Sequence, residues 1–241
     1  MALLELEGVT KQFGGLTAVS NVSFAVAEGQ IVGLIGPNGA GKTTLFNMIN
    51  GFLKPTAGQI RFRGERIDGL KPHKVCRMGL ARTFQVVKPL QRMTVLDNVL
   101  ASSFLRFPAR ADAERNAWEV LEFTGLTPVA NTVSKGLPLG LRKRLEIARA
   151  LATRPALILL DEACAGLNPT ELDESIRIIR KIRETGTTVL IIEHHMKVIM
   201  SISDHIVVLN YGEKIAEGSP EEVARNPAVI QAYLGGEAAH A

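Results

Sequence analysis

Gly36-Pro37-Asn38-Gly39-Ala40-Gly41-Lys42-Thr43 is a complete G-x-x-x-x-G-K-[ST] phosphate loop, and its surroundings decide the fold class. An apolar run, Ile31-Val32-Gly33-Leu34-Ile35, precedes it, and Leu45, Phe46, Met48 and Ile49 follow at helical spacing. That strand–loop–helix context is the one such a loop requires. Glycines let backbone N–H groups turn inward around phosphate oxygens, and the helix start adds about half a positive charge. The expected ligand is a nucleoside triphosphate. Gly36, Asn38, Gly39, Ala40, Gly41, Lys42, Thr43 and Thr44 are its expected contacts. Lys42 is placed to reach the β- and γ-phosphates, and the Thr43 hydroxyl to ligate Mg2+.

The 241 residues are long enough for a substantial core. With 46% hydrophobic and 22% charged residues, the composition is that of an ordinary soluble globular protein. The net charge of +4 is spread among acidic residues rather than gathered in blocks, so no nucleic-acid partner is expected. Two cysteines, Cys76 and Cys164, lie far apart without metal-ligand spacing, which fits a reducing compartment and a packing role. The first residues carry no basic segment followed by a long apolar one, so no signal peptide is expected. The longest apolar runs are too short to span a bilayer.

Val22, Phe24 and Val26 alternate as in a half-buried strand, and Ile60 with Phe62 repeats the pattern between Gly58 and Gly64. From about residue 92 to 153 the spacing turns helical. One helix opens at Thr94, and another runs from Ala111 to Phe123 with Gly125 as its stop. Beyond it, two continuous apolar strands, Leu157–Leu160 and Thr187–Ile192, flank a helix over Pro169–Glu184 with Asn168 as N-cap. This alternation implies an α/β core with a parallel sheet covered on both faces. A hairpin near 206–216 and two short helices, Pro220–Arg225 and Pro227–Leu234, close the chain.

Asp161 ends the first of these strands, where a carboxylate can hold Mg2+ through water. Glu162 follows it and is placed to deprotonate the attacking water. The adjacent His194 and His195 do not form a metal pair, because neighbouring positions rarely converge on one ion and no cysteine lies near.

Further motifs specify which phosphate-loop protein this resembles. The segment Gly136-Leu137-Pro138-Leu139-Gly140-Leu141 opening a basic helix resembles the signature region of ATP-binding-cassette (ABC) ATPases. Arg82-Thr83-Phe84-Gln85 resembles the family's glutamine loop, and His194 its switch histidine. Ala165-Gly166-Leu167-Asn168 resembles its dimer-contacting loop, and Phe13 the aromatic that stacks on adenine. The ending Asn226-Pro227…Ala232-Tyr233-Leu234-Gly235 is similar to that of the branched-chain amino-acid importer subgroup.

The resemblance implies one ABC-type P-loop ATPase domain over 1–241. Residues 1–87 and 151–241 would form a RecA-like core with an antiparallel β subdomain, and 88–150 a helical subdomain holding the signature segment. It implies ATP and Mg2+ as ligands, the metal held by Thr43, Gln85 and Asp161. Glu162, His194 and Gln85 would be catalytic, and Gly140 would serve the ATP of a facing subunit. The implied partners are a second ATPase subunit, identical or different, and integral membrane permease subunits. The implied place is cytoplasmic, peripheral on the inner face of the cell membrane. A rival within the family, a soluble ATPase acting on nucleic acid or ribosomes, usually carries two cassettes or a long coiled-coil insertion, and neither is seen.

Two departures matter. Where the family has serine this chain has Pro138, or a serine shifted to Ser134, and Leu141 stands where it has glutamine. With Pro138 at that position the hydroxyl contact to the facing phosphate is lost, and proline deletes a donor. Backbone N–H groups and the helix start are left to make that contact. Ala163 replaces the usual proline after Glu162, a change expected to be mild.

Overall fold

The computed structural model describes residues 2–84 and 89–237, so Gln85 lies outside the described residues. β1 (Ala2–Phe13) and β2 (Leu16–Ala27) form a long antiparallel hairpin, with Leu4, Leu6 and Val9 opposite Val26, Phe24 and Val22. Alternation of buried and exposed positions along β2 gives the hairpin one apolar face. β3 (Ile31–Ile35) is buried at every position and leads through the phosphate loop into α1 (Lys42–Ile49). β4 (Ala57–Phe62) pairs with the free side of β1 and carries β5 (Glu65–Arg66), completing a four-stranded antiparallel sheet in the order β2-β1-β4-β5.

α2 (Pro72–Met78) and β6 (Leu80–Arg82) bring the chain to a second sheet. The helical part follows: α3 (Val95–Ser103), α4 (Arg110–Phe123) and α5 (Leu139–Leu151). Then come β7 (Leu157–Asp161), α6 (Pro169–Glu184), β8 (Thr188–Ile192), α7 (Met196–Ile202), β9 (His205–Asn210), β10 (Glu213–Gly218), α8 (Pro220–Arg225) and α9 (Pro227–Glu237). The second sheet has the order β10-β9-β3-β8-β7-β6, parallel throughout except for β10. This is the α/β architecture expected from the alternating strands and helices.

Three apolar clusters follow from this layering. One packs α1 and the antiparallel sheet against one face of the parallel sheet, with Phe46 and Phe62 fully buried. A second fills the opposite face beneath α6 and α7, through Ile179, Ile182 and Ile199. The third is confined to residues 95–152, where Val99, Leu121 and Leu145 join α3, α4 and α5. No helix among the described residues is long and apolar enough to cross a membrane.

Some elements were illegible in the sequence. α2 buries only Val75, and β6 is three residues long, so neither shows a period. α7 is seven residues and reads as a continuation of the apolar strand before it. α9 runs to Glu237 rather than ending at Leu234; Gly235 and Gly236 disfavour a helix by only about 1 kcal/mol each.

Candidate nucleotide site

The carboxyl ends of β3, β8, β7 and β6 lie side by side along one edge of the parallel sheet, where open α/β sheets bind ligands. β3 delivers the phosphate loop, β7 delivers Asp161 and Glu162, and β8 between them leads to His194. Strands roughly 4.8 Å apart thus set the two halves of the site about 10 Å from each other.

Within the loop, two glycines are obligatory for packing. Gly36 has φ 150°, and a Cβ there would sit 2.1 Å from the Leu209 carbonyl oxygen. Gly41, the N-cap of α1, has φ 95°, and its Cβ would meet the Ala18 oxygen at 2.5 Å. Lys42 folds back into the loop, its Nζ donating to the Gly36 carbonyl at 2.7 Å and the Pro37 carbonyl at 2.8 Å. Burial lowers the Lys42 pKa, while the carboxylates of Glu162 and Asp161 pull it the other way. The ammonium is therefore held by neutral loop carbonyls, weaker partners than charged oxygens.

A cavity of about 410 Å³ opens over the loop. Asn38 through Thr44 form its floor, Glu162 and His194 one wall, and Leu16, Thr17, Ala18 and Tyr211 the other. Phe13 is half exposed with Lys11 Nζ 5.1 Å from its ring centroid, and it does not line the cavity. It stands opposite Leu16 at the hairpin turn, and Leu16 does line it. Tyr211, 88% exposed, is a wall residue that sequence reading passed over. Its signal was local: Tyr211-Gly212 turns the last hairpin, with Tyr211 at φ 47°.

His194 Nε2 lies 2.7 Å from Glu162 Oε1, so two of the three residues expected to be catalytic meet directly; the third, Gln85, lies outside the described residues. Glu162 adopts φ 51°, a left-handed conformation costing about 1–2 kcal/mol for a non-glycine residue. Its N–H donates to the Ile192 carbonyl at 2.9 Å, tying the end of β7 to the end of β8.

Asp161 is 2% exposed. Its Oδ2 accepts from Arg82 Nη2 at 2.7 Å, and its Oδ1 is buried with no partner. Arg82 also donates to Asn47 Oδ1 at 2.7 Å, and its guanidinium lies 5.6 and 5.3 Å from the ring centroids of Phe46 and Phe84. Thr43, Arg82 and Asp161 line one further cavity beside the loop. An orphaned, buried carboxylate oxygen beside a threonine hydroxyl is a donor set that suits a hard divalent cation. Arg82 was visible in sequence only as part of a motif, since its partner lies 79 residues away.

Gly140 lies apart from this cavity, in the first turn of α5, against Glu171 of α6. Pro138 is the N-cap of α5 and makes no side-chain cap bond, as its lack of a hydroxyl dictates. Burial first, and the nearby Glu193 carboxylate second, push the Cys164 thiol up to about 12, so it stays an unreactive packing group.

Residues 19–165 match the family model described as ABC transporter, and residues 213–239 the model described as branched-chain amino acid ATP-binding cassette transporter. The chain is 49% identical to the high-affinity branched-chain amino acid transport ATP-binding protein BraF of Pseudomonas aeruginosa, over 97% of this chain and 98% of that protein. It superposes on the ADP conformation of an ABC-transporter cassette with a TM-score of 0.88 at 33% identity, covering 98% of this chain and 99% of the other. A dimeric cassette in a post-hydrolysis state, bound to ADP and phosphate, gives 0.81 at 27% identity, covering 90% and 98%. Similarity of this extent, joined to a phosphate loop facing a Glu–His pair across the end of a parallel sheet, means that the chain belongs to the ABC transporter family of ATP-binding proteins.

Proposed function

We propose that this chain is the ATP-hydrolysing subunit of an importer for branched-chain or related amino acids. The observation that carries the catalytic reading is the Glu162–His194 contact at 2.7 Å on the wall facing the phosphate loop. The substrate reading is supported by the branched-chain family model over the last hairpin and helices.

ATP enters with its phosphates over the loop amides, and Lys42 leaves the Gly36 and Pro37 carbonyls to meet them. Phe13, at the hairpin turn beside Leu16, stacks on the adenine. Thr43 and the orphaned oxygen of Asp161 would hold Mg2+, with Gln85 as the remaining expected ligand, and the ion would supply positive charge to offset that of the phosphates. Glu162 takes a proton from the attacking water, and His194 keeps the Glu162 carboxylate aimed at it. The water oxygen bonds to the γ-phosphorus, the bond to the β–γ bridging oxygen breaks, and ADP and phosphate leave. Gly140 of a facing subunit closes the site through backbone N–H groups. The helical part, 88–150, passes that closure to permease subunits from the cytoplasmic side of the membrane. Free energy enters through the higher affinity of ATP for the closed pair.

Glu162→Gln keeps the shape of the site and removes its base. It lowers turnover by about 10²–10⁴-fold with ATP binding retained; unchanged turnover removes Glu162 from this role. Proteoliposomes holding the cognate permease and binding protein should accumulate labelled leucine, isoleucine or valine on ATP addition. Uptake of none of these, beside ATP-driven uptake of an unrelated solute, overturns the substrate assignment.

A further inference from the structure

Glu162 meets His194 from a backbone in the left-handed region, and one side chain from the helical part hydrogen-bonds to that backbone. Lys143, on α5, is 8% exposed, and its Nζ donates to the Glu162 carbonyl oxygen at 2.5 Å. A buried ammonium needs an anion. Burial lowers the Lys143 pKa, and the charge of Glu193, 2% exposed and one residue before His194, acts against that. Glu193 Oε1 also accepts the Cys164 N–H at 2.5 Å, so Lys143 and Glu193 hold the turn after β7 at two of its backbone groups, and neither has a part in the chemistry described above.

We propose that Lys143 is a positioning residue for the reaction: its ammonium, set against Glu193, fixes the Glu162 carbonyl so that the carboxylate is presented to His194. This rests on the reading of Glu162 as the base. The first turn of α5 carries Gly140, the expected contact to the facing subunit's nucleotide, and its second turn carries Lys143. One helix therefore contacts the neighbour's ATP and anchors its own subunit's Glu162. Closure on one nucleotide shifts the catalytic carboxylate beside the other, and the two sites are mechanically linked.

The test is steady-state ATPase with fluorescent ATP-analogue binding on the full chain. Lys143→Met is expected to lower kcat by about 10–100-fold, with KM and analogue affinity within about twofold of wild type. Lys143→Arg, which keeps a cationic donor, should recover kcat to within about fivefold of wild type. On the Glu162→Gln background, adding Lys143→Met should change the residual turnover by less than about twofold, because the two residues act as one unit. Should Lys143→Met fail to fold, Lys143→Gln takes its place with the same expectation. Wild-type kcat in either neutral variant overturns the proposal. So does a loss of kcat and affinity together that Lys143→Arg does not restore. Unchanged turnover in Glu162→Gln alone removes the base, and this proposal with it. Wild-type turnover in Lys143→Met beside a disabled Glu162→Gln removes only the present one.

Discussion

Lys42 illustrates how a single residue is prepared for its ligand. A buried ammonium would be costly if left bare, and the Gly36 and Pro37 carbonyls satisfy it at 2.7 and 2.8 Å. The charge is thus kept inside the loop at low reorganisation cost. Lys42→Ala removes the cation while leaving α1 its best helix former, so the fold should persist and nucleotide affinity should fall by about 100-fold or more. Isothermal titration with ATP·Mg2+ checks this, and affinity retained beside a normal circular-dichroism spectrum would count against the loop assignment. Arg82 shows a different logic: its cation is held to Asp161 and Asn47 and lies within 5.6 Å of the Phe46 and Phe84 ring centroids.

At the scale of elements, caps and turns decide how securely the catalytic strands are flanked. α6 starts with a reciprocal capping box in which Asn168 Oδ1 accepts the Glu171 N–H at 3.0 Å and Glu171 Oε2 accepts the Asn168 N–H at 3.1 Å. The same Glu171 side chain covers Gly140, so this cap also shapes the start of α5. Asn168→Ala should cost about 0.5–2 kcal/mol, read as a lower urea midpoint with an unchanged slope. No loss would mean that Glu171 caps the helix alone. Beyond β5, burial by itself would raise the Asp68 carboxyl; hydrogen bonds from Arg66 and the Ile60 amide outweigh it and hold the pKa below the ordinary value. A depressed carboxyl adds stability above its unfolded value of about 3.9 and loses it as pH falls through the folded one. Asp68→Asn keeps the Ile60 bond but loses the charge. Its melting temperature should lie about 1–3 °C below wild type at pH 7. That gap should begin to narrow below about pH 4 and close as pH falls through the lower, folded value. A gap of constant size across the whole acid range would show that packing, not charge, is responsible.

At the scale of the molecule, the site is half of something larger. Gly140 packs against Glu171 and does not line the cavity over Asn38–Thr44. Glu162→Gln loaded with ATP·Mg2+ should therefore sediment at twice the mass of the ADP-bound chain. Monomers under both conditions would mean that the facing subunit is a different chain. Arg106 ties the segment after α3 to the ends of α5 and α2, donating to the carbonyls of Thr153 and Arg77 at 2.9 and 2.8 Å.

Short-range chemistry was readable from the chain alone. The phosphate loop, the Asp161-Glu162 pair at a strand end and the Asn168-Pro169 helix start depend on backbone geometry within a few residues, so their letters suffice. The order of the parallel strands does not. Only the tertiary structure set β8 between β3 and β7, brought His194 to Glu162 across 32 residues, and gave Asp161 its partner Arg82 across 79. Likewise, Lys143 reads as one more basic residue on an amphipathic helix until packing buries it against the Glu162 carbonyl. Local letters specify which groups are available. Their meeting depends on which hydrophobic faces pack together, a cooperative property that no short window of sequence contains.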